Sequence, residues 1–255
     1  MMKLSVVSSV VMSALAYNAS AAEPQYKVER LSQGHDRFYD LAFAADGSYY
    51  AVGSLADTTD ANSDARFAIA KYKASGELDS SFGKSGYVIH NVAVGGQGES
   101  ARSVLVQADG KVVIAGPVEA VSRDARDRDI AVLRLLADGR LDSSFGKNGV
   151  VILDLSQGEA NGSSFIADSF GGLALDADNR FLVHGAKKRD GALDTDFALA
   201  RLNQDGSLDT NFAQNGIFSL DLGGYNASPK PPLVLPNGSI LGAGYQNANG
   251  VVVPV

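Results

Sequence analysis

Asp79, Asp142 and Asp209 each sit in a Leu-Asp-x-x-Phe setting, and three like carboxylates invite a reading as general acids or bases. Glycosidic acid–base catalysis needs two carboxyl groups within about 10 Å of each other across one bond. Residues that recur once per repeat are spread around an array instead. These Asp side chains are therefore expected to cap the turns in which they stand. Lys71, Arg134 and Arg201 recur with the same period and are expected to pair with a nearby carboxylate. Such a pair is worth about 0–1 kcal/mol if it is exposed.

Other candidates are weaker. Asp60, Asn62 and Asp64 copy the first three ligand spacings of a calcium loop. Ala65 and Lys71 then stand where that loop needs Gly and Glu. His35, His90 and His184 are far apart in the chain, and none has the i, i+4 partner of a helical metal site. Gly95, Gly96 and Gly98 open no helix, so they do not form a phosphate cradle. Nothing else matches a serine-nucleophile, nucleotide or zinc motif. The expectation is no catalytic residue, no cofactor and no metal ligand. Three charged segments remain, expected to be solvated loop surface: Asp57, Asp60 and Asp64; then Arg123 to Asp129; then Lys187 to Asp190. Replacing Arg126 or Lys188 is expected to change stability by no more than about 0.5 kcal/mol.

The elements that position these residues come from an internal repeat. Leu-Asp-Ser-Ser-Phe-Gly-Lys-x-Gly begins at Leu78 and again at Leu141, and a degraded copy begins at Leu208. The three phenylalanines, Phe82, Phe145 and Phe212, are 63 and then 67 residues apart. A second signature precedes each copy: a turn at Asp46-Gly47, Asp109-Gly110, Asp178-Asn179 or Asn237-Gly238, then an apolar run. A Gly follows six residues after the turn in all four cases, at Gly53, Gly116, Gly185 and Gly244. Asp-Gly and Asn-Gly predict two-residue hairpins.

Each unit then reads as four strands, a to d, exemplified by residues 104–106, 111–116, 130–135 and 150–155. Strands b, c and d are nearly continuous apolar runs, which predicts sheets covered on both faces. The fold class expected is all-β: a β-propeller-like array of four-stranded antiparallel blades, with about four repeats and the last incomplete. Approximate repeat limits are 38–100, 101–168, 169–230 and a partial 231–255. Phe82, Phe145 and Phe212 are expected to wedge between blades. Residues 26–31 are expected to supply strand d to the fourth blade and close the ring, the rival being an open arc.

The stretch Asp196-Phe197-Ala198-Leu199-Ala200-Arg201-Leu202-Asn203-Gln204-Asp205-Gly206-Ser207-Leu208-Asp209-Thr210 resembles the core of the delta-60 repeat, a bacterial tandem repeat. The resemblance covers three full copies and the first half of a fourth. It implies a β-propeller-like fold of unknown function, with no catalytic residues to carry over. Arg66 departs from it, standing where Asp129 and Asp196 stand.

Composition narrows the partners. The 255 residues carry 22 Lys+Arg, 29 Asp+Glu and no Cys, a net charge of -7 that argues against a nucleic-acid partner. Lacking Cys, the chain has no disulfide and no thiol nucleophile. Lys3, the uncharged run after it, and Ala19 and Ala21 at the -3 and -1 positions make residues 1–21 a secretory signal peptide. Residues 22–255 then form one repeat domain, periplasmic or extracellular, with no transmembrane segment. Two functions stay open. One is a non-enzymatic scaffold binding a protein or glycan through the b–c and d–a loop face. The other is a glycan hydrolase or lyase acting at the central channel.

Overall fold

The computed structural model describes residues 31–255 apart from 61–62, 95–97, 121–125 and 249. The signal-peptide expectation, Asn62 and residues 26–30 of the closing-strand expectation lie outside the described residues.

Among the described residues every regular element is a strand. The first unit comprises β1 (Asp36–Phe43), β2 (Tyr49–Ala56), β3 (Ala65–Tyr72) and β4 (Tyr87–His90). The second comprises β5 (Ser103–Val106), β6 (Val112–Glu119), β7 (Arg128–Leu135) and β8 (Val150–Leu153). A small hairpin, β9 (Glu159–Asn161) with β10 (Ser164–Ile166), fills the next connection. The third unit comprises β11 (Ser169–Leu175), β12 (Phe181–Lys188), β13 (Thr195–Leu202) and β14 (Ile217–Leu220). Each of these three units is a four-stranded antiparallel sheet in simple sequence order, the blade expected from the repeat.

The fourth unit is broken. Its elements are β15 (Asn226–Pro229), β16 (Leu233–Val234), β17 (Ile240–Leu241), β18 (Gly244–Ala248) and β19 (Val251–Pro254). β15, β18 and β19 form one sheet, and β16 pairs with β17 in another. Pro231 and Pro232 interrupt strand a, as residues without an N–H must. A short strand c is present as β19, and strand d is missing from the described fourth unit.

Three local readings need correction. The first turns are three-residue loops, because Ala44 pairs with Ser48 while Gly47 donates back to Ala44 at 3.0 Å. Only the last loop residue has positive φ, Gly47 at 83° and Asn179 at 58°, so the loop is an αR turn followed by a left-handed residue. Strands d are not covered on both faces: Ile89, Ile152, Phe218 and Leu220 are exposed. Strand d is the outer edge of its blade, so its apolar run has a neighbour on one side only. The Arg134–Asp142 pair is buried, 2.8 Å apart, and is no exposed surface bridge.

The wedges are confirmed for two of three sites. Phe82 and Phe145 are fully buried in separate cores, the first joining units one and two, the second joining units two and three. Phe145 meets Phe181 edge-on at 5.6 Å, and the Arg134 guanidinium lies 4.6 Å from its ring centre. The second-turn glycine of the following unit seals each wedge. Gly146 N donates to Asp205 O at 2.7 Å, and a Cβ at Gly206 would lie 2.9 Å from that nitrogen and from the Phe145 ring. Phe212 is only half-buried and lines an apolar cavity of about 520 Å³ with His184, Phe218, Leu220 and Ile240. This cavity is an inter-blade core that the broken fourth unit leaves unfilled.

Asp79, Asp142 and Asp209 cap their turns as expected, accepting from the backbone N–H of Ser81, Ser144 and Asn211 at 3.0–3.2 Å. The same carboxylates receive Lys71, Arg134 and Arg201 at 3.1, 2.8 and 2.8 Å. Asp142 is driven down to about 2, because hydrogen bonds from Ser144 and the Arg134 charge outweigh the cost of burying it.

Candidate functional site

Strand a is the innermost strand, and its shape is set by a contact repeated in all four units. A Cβ at Gly53, Gly116, Gly185 or Gly244 would lie 1.7–2.5 Å from a carbonyl oxygen of Arg37, Ser100, Ser169 or Ser228. Only Gly lets strands a and b approach this closely. Just beyond the contact the chain bulges. The register of β1 against β2 slips between Phe38 and Asp40, and that of β11 against β12 between Phe170 and Gly172. A bulge re-aims the extra residue out of the ladder. The extra residues are Tyr39 and Gly171.

Tyr39, Arg102, Gly171 and Lys230 occupy one equivalent position, eight residues before the first turn's left-handed residue. All four line a single cavity of about 600 Å³, together with Arg128 and Asp168. Every unit contributes to it, so it is the axial channel of the array. The scaffold repeats at this register, but the side chains do not. The Arg102 guanidinium stacks over the Tyr39 ring at 3.9 Å, and Lys230 Nζ lies 5.2 Å from the Tyr245 ring centre. Arg128 reaches Glu119 at 3.3 Å. Burial works to raise the Tyr39 phenol. Hydrogen bonding to Arg37 and Ser54, with the charges of Arg102 and Arg37, outweighs it and holds the phenol below its ordinary value.

Asp168 is the cavity's carboxylate, and it is committed to structure. It accepts from Leu155 N at 2.7 Å, Ser156 N at 3.1 Å and Ser156 Oγ at 2.5 Å. Burial pushes it up to about 7, against those three donors. Glu99 occupies the equivalent position, accepts from Val92 and Ala93 and is likewise pushed up to about 7 by burial. Asp36 repeats the arrangement with Leu31 and Ser32, at 2.7 and 2.9 Å. The fourth unit has Ala227 at this position and no clamp. A second cavity of about 390 Å³ shares Tyr39, Gly98 and Arg102 with the channel and adds His35, Arg37 and Asp60. It carries the channel out to the b–c and d–a loops of the first unit.

The other sequence candidates lie elsewhere. His35 is exposed at this mouth, His90 stands on outer strand β4, and His184 is buried beside the apolar cavity, where Nδ1 donates to Lys230 O at 2.7 Å. The charged b–c loops are less solvated than expected. Asp127, Asp129 and Lys188 are buried, and Lys188 Nζ meets Glu159 at 2.8 Å. Arg126 lies over the Phe165 ring at 4.8 Å. Lys188 and Arg126 find these partners on the β9–β10 hairpin. Among the described residues two acidic groups have donor atoms within 4.8 Å of one another: Asp129, Asp154 and Asp168, and Asp194, Asp196 and Asp221.

The channel residues were missed in the sequence because they share a register and not a residue type. Aligning the units on the first turn exposes them as an unlike column beneath the repeated Gly.

No helix among the described residues is long and apolar enough to cross a membrane. No curated protein matches the chain. Among solved structures it is similar to the endo-arabinase from Bacteroides thetaiotaomicron VPI-5482, at 12% identity and a TM-score of 0.47, over 86% of this chain and 72% of that one. Residues 44–82, 107–145 and 177–212 match the family model described as a domain of unknown function (DUF5122) beta-propeller. With three four-stranded antiparallel sheets in tandem and these three matches, the chain is an all-β, β-propeller-like repeat protein.

Proposed function

We propose that this protein is a non-enzymatic binding scaffold whose axial channel and adjoining loop face take an acidic ligand, a glycan bearing carboxylate or sulfate groups. The observation that carries this reading is the unlike column Tyr39, Arg102, Gly171 and Lys230 on an otherwise repeated wall. Guanidinium groups offer paired donors to carboxylates and sulfates, and an aromatic ring offers a flat apolar face for a sugar. Gly171 adds no side chain to the column, because the Pro229 ring lies 2.7 Å from where its Cβ would stand. The positive lining is notable in a chain of net charge -7. The same reading takes the units as delta-60 repeats and places the protein outside the cytoplasm through residues 1–21.

A second reading rests on Tyr39 alone. A phenol held below its ordinary value beside two arginines is suited to removing the proton next to a uronate carboxylate, as a lyase requires. A hydrolase is disfavoured, since it needs a carboxylate pair and Asp168 is already clamped. A panel of acidic and neutral polysaccharides tests both readings. Binding to acidic members that weakens with salt supports the scaffold. Growth of the ultraviolet absorbance of unsaturated uronates supports the lyase. Equal binding of neutral arabinan and dextran would overturn both.

A further inference from the structure

The acidic group at the end of the third blade contains more negative charge than its neighbours neutralise. Asp194, Asp196 and Asp221 come from three segments: the b–c loop, the start of β13 and the residue after β14. Asp194 and Asp196 are more than nine-tenths buried. Asp194 Oδ2 and Asp196 Oδ1 are fully enclosed and receive no hydrogen bond. The other oxygen of Asp196 has only Ser219 Oγ at 3.4 Å, beyond the ordinary range for such a bond. Arg189 supplies one positive charge, to Asp194 Oδ1 at 3.1 Å and to Asp221. Lys187, opposite Asp196 across β12 and β13, adds a second positive charge, so three carboxylates against two cations leave one negative charge. A buried carboxylate oxygen without a donor is costly unless a cation completes it.

In the first blade the same positions carry less negative charge. Its equivalent positions are Asp64, Arg66 and Asn91, where Asn91 Nδ2 donates to Asp64 at 2.7 Å. There the strand-c acid is replaced by a cation, and the acid after strand d by a neutral amide. One chain thus holds two solutions at one register: the charge is balanced internally in the first blade and left open in the third.

We propose that Asp194, Asp196 and Asp221 bind a hard divalent cation, of which calcium is the best fit. Calcium accepts irregular sets of carboxylate and water oxygens, whereas magnesium demands near-octahedral geometry. The orphaned oxygens of Asp194 and Asp196 are the direct ligands, and Arg189 limits the affinity by competing for the same charge. The site lies on the loop end of the blade, apart from the channel column, so it stands or falls independently of the acidic-ligand reading.

Isothermal titration of the full chain with calcium chloride tests this. One site with a dissociation constant of about 10⁻⁴–10⁻³ M is expected, the range of extracellular modules. Asp196→Asn should weaken it at least about tenfold. Without calcium that variant should melt no lower than the unsubstituted protein, because it removes one of three crowded charges. Arg189→Gln, which keeps all three carboxylates, should tighten binding several-fold. No binding by the unsubstituted chain, or an unchanged constant in Asp196→Asn, would overturn the proposal. So would loss of the site in Asp129→Asn in place of Asp196→Asn, since the ion would then belong to the second blade.

Discussion

The interface between units two and three differs from that between units three and four at three equivalent points. In the first, Phe145 is sealed, Gly206 docks on Gly146, and Asp168 clamps residues 155 and 156. In the second, Phe212 is half-buried beside a cavity of about 520 Å³, Ala213 takes the place of Gly146, and Ala227 the place of the clamp. The three features go together because each needs the neighbouring blade: a wedge is closed by the next blade's second turn, and a clamp spans the strand-d exit and the next strand a. The motif around Phe212 is therefore present while its partner is not. A repeat motif states what a blade offers, and only the neighbour decides how much of it is buried.

The largest effect that separates the two interfaces is truncation of the wedges. Phe145→Ala should cost about 3–5 kcal/mol in denaturant unfolding, and Phe212→Ala about 1–2 kcal/mol, since its ring is already half in solvent. Equal losses would mean that the cavity beside Phe212 does not exist. Next, Gly206→Ala should cost about 2–4 kcal/mol, combining a left-handed backbone with overpacking against Phe145. Gly238→Ala, at a φ of 81° with nothing within 4 Å of the added carbon, should cost about 1 kcal/mol.

The clamps give a smaller effect, read through pH. Glu99 and Asp168 are raised to about 7 in the folded protein, so the folded state binds more protons than the unfolded chain between about pH 4 and pH 7. Stability present below that window is lost as pH rises through it, and Asp168→Asn should flatten the slope. Asp142, lowered to about 2, acts in the opposite sense and withdraws its contribution only under strong acid. A melting temperature that climbs from pH 4 to pH 7 would contradict the clamps' charge state. The smallest contrast concerns loops: Lys188→Ala should cost about 1 kcal/mol, and the exposed Arg140→Ala no more than about 0.5 kcal/mol.

Much of the scaffold was legible before any coordinates. The turn-to-Gly offset and the Leu-Asp-x-x-Phe motif located three four-stranded blades, and large repeated aromatics announced Phe82 and Phe145 as wedges. What failed did so for physical reasons. An apolar strand reads the same at a blade's outer edge as in its middle, so Ile89 and Ile152 were expected to be covered. An Asp-Gly pair suits two loop lengths, and the backbone took the longer. The carboxylates of Asp79, Asp142 and Asp209 were correctly given to turns, but only Asp142 and Asp209 are buried, each beside a second cation of its own blade, Lys111 and Arg180. The acids Asp36, Glu99 and Asp168 lie at one spacing, yet one is Glu and their surroundings differ, so their period escaped notice. The channel was least legible, because its identity lies in the departure of Tyr39, Arg102, Gly171 and Lys230 from the repeat.

The central claim is that binding is carried by that departure, and calorimetry of a paired charge deletion tests it most directly. Arg102→Ala combined with Lys230→Ala removes two channel cations, and Lys84→Ala with Arg140→Ala removes two from exposed sites outside the cavities. Titrated with polygalacturonate at low salt, the channel pair should lose at least about tenfold in affinity, and the second pair less than about twofold. Equal losses in the two pairs would show that net charge alone governs binding, and the channel would then have no claim to the ligand.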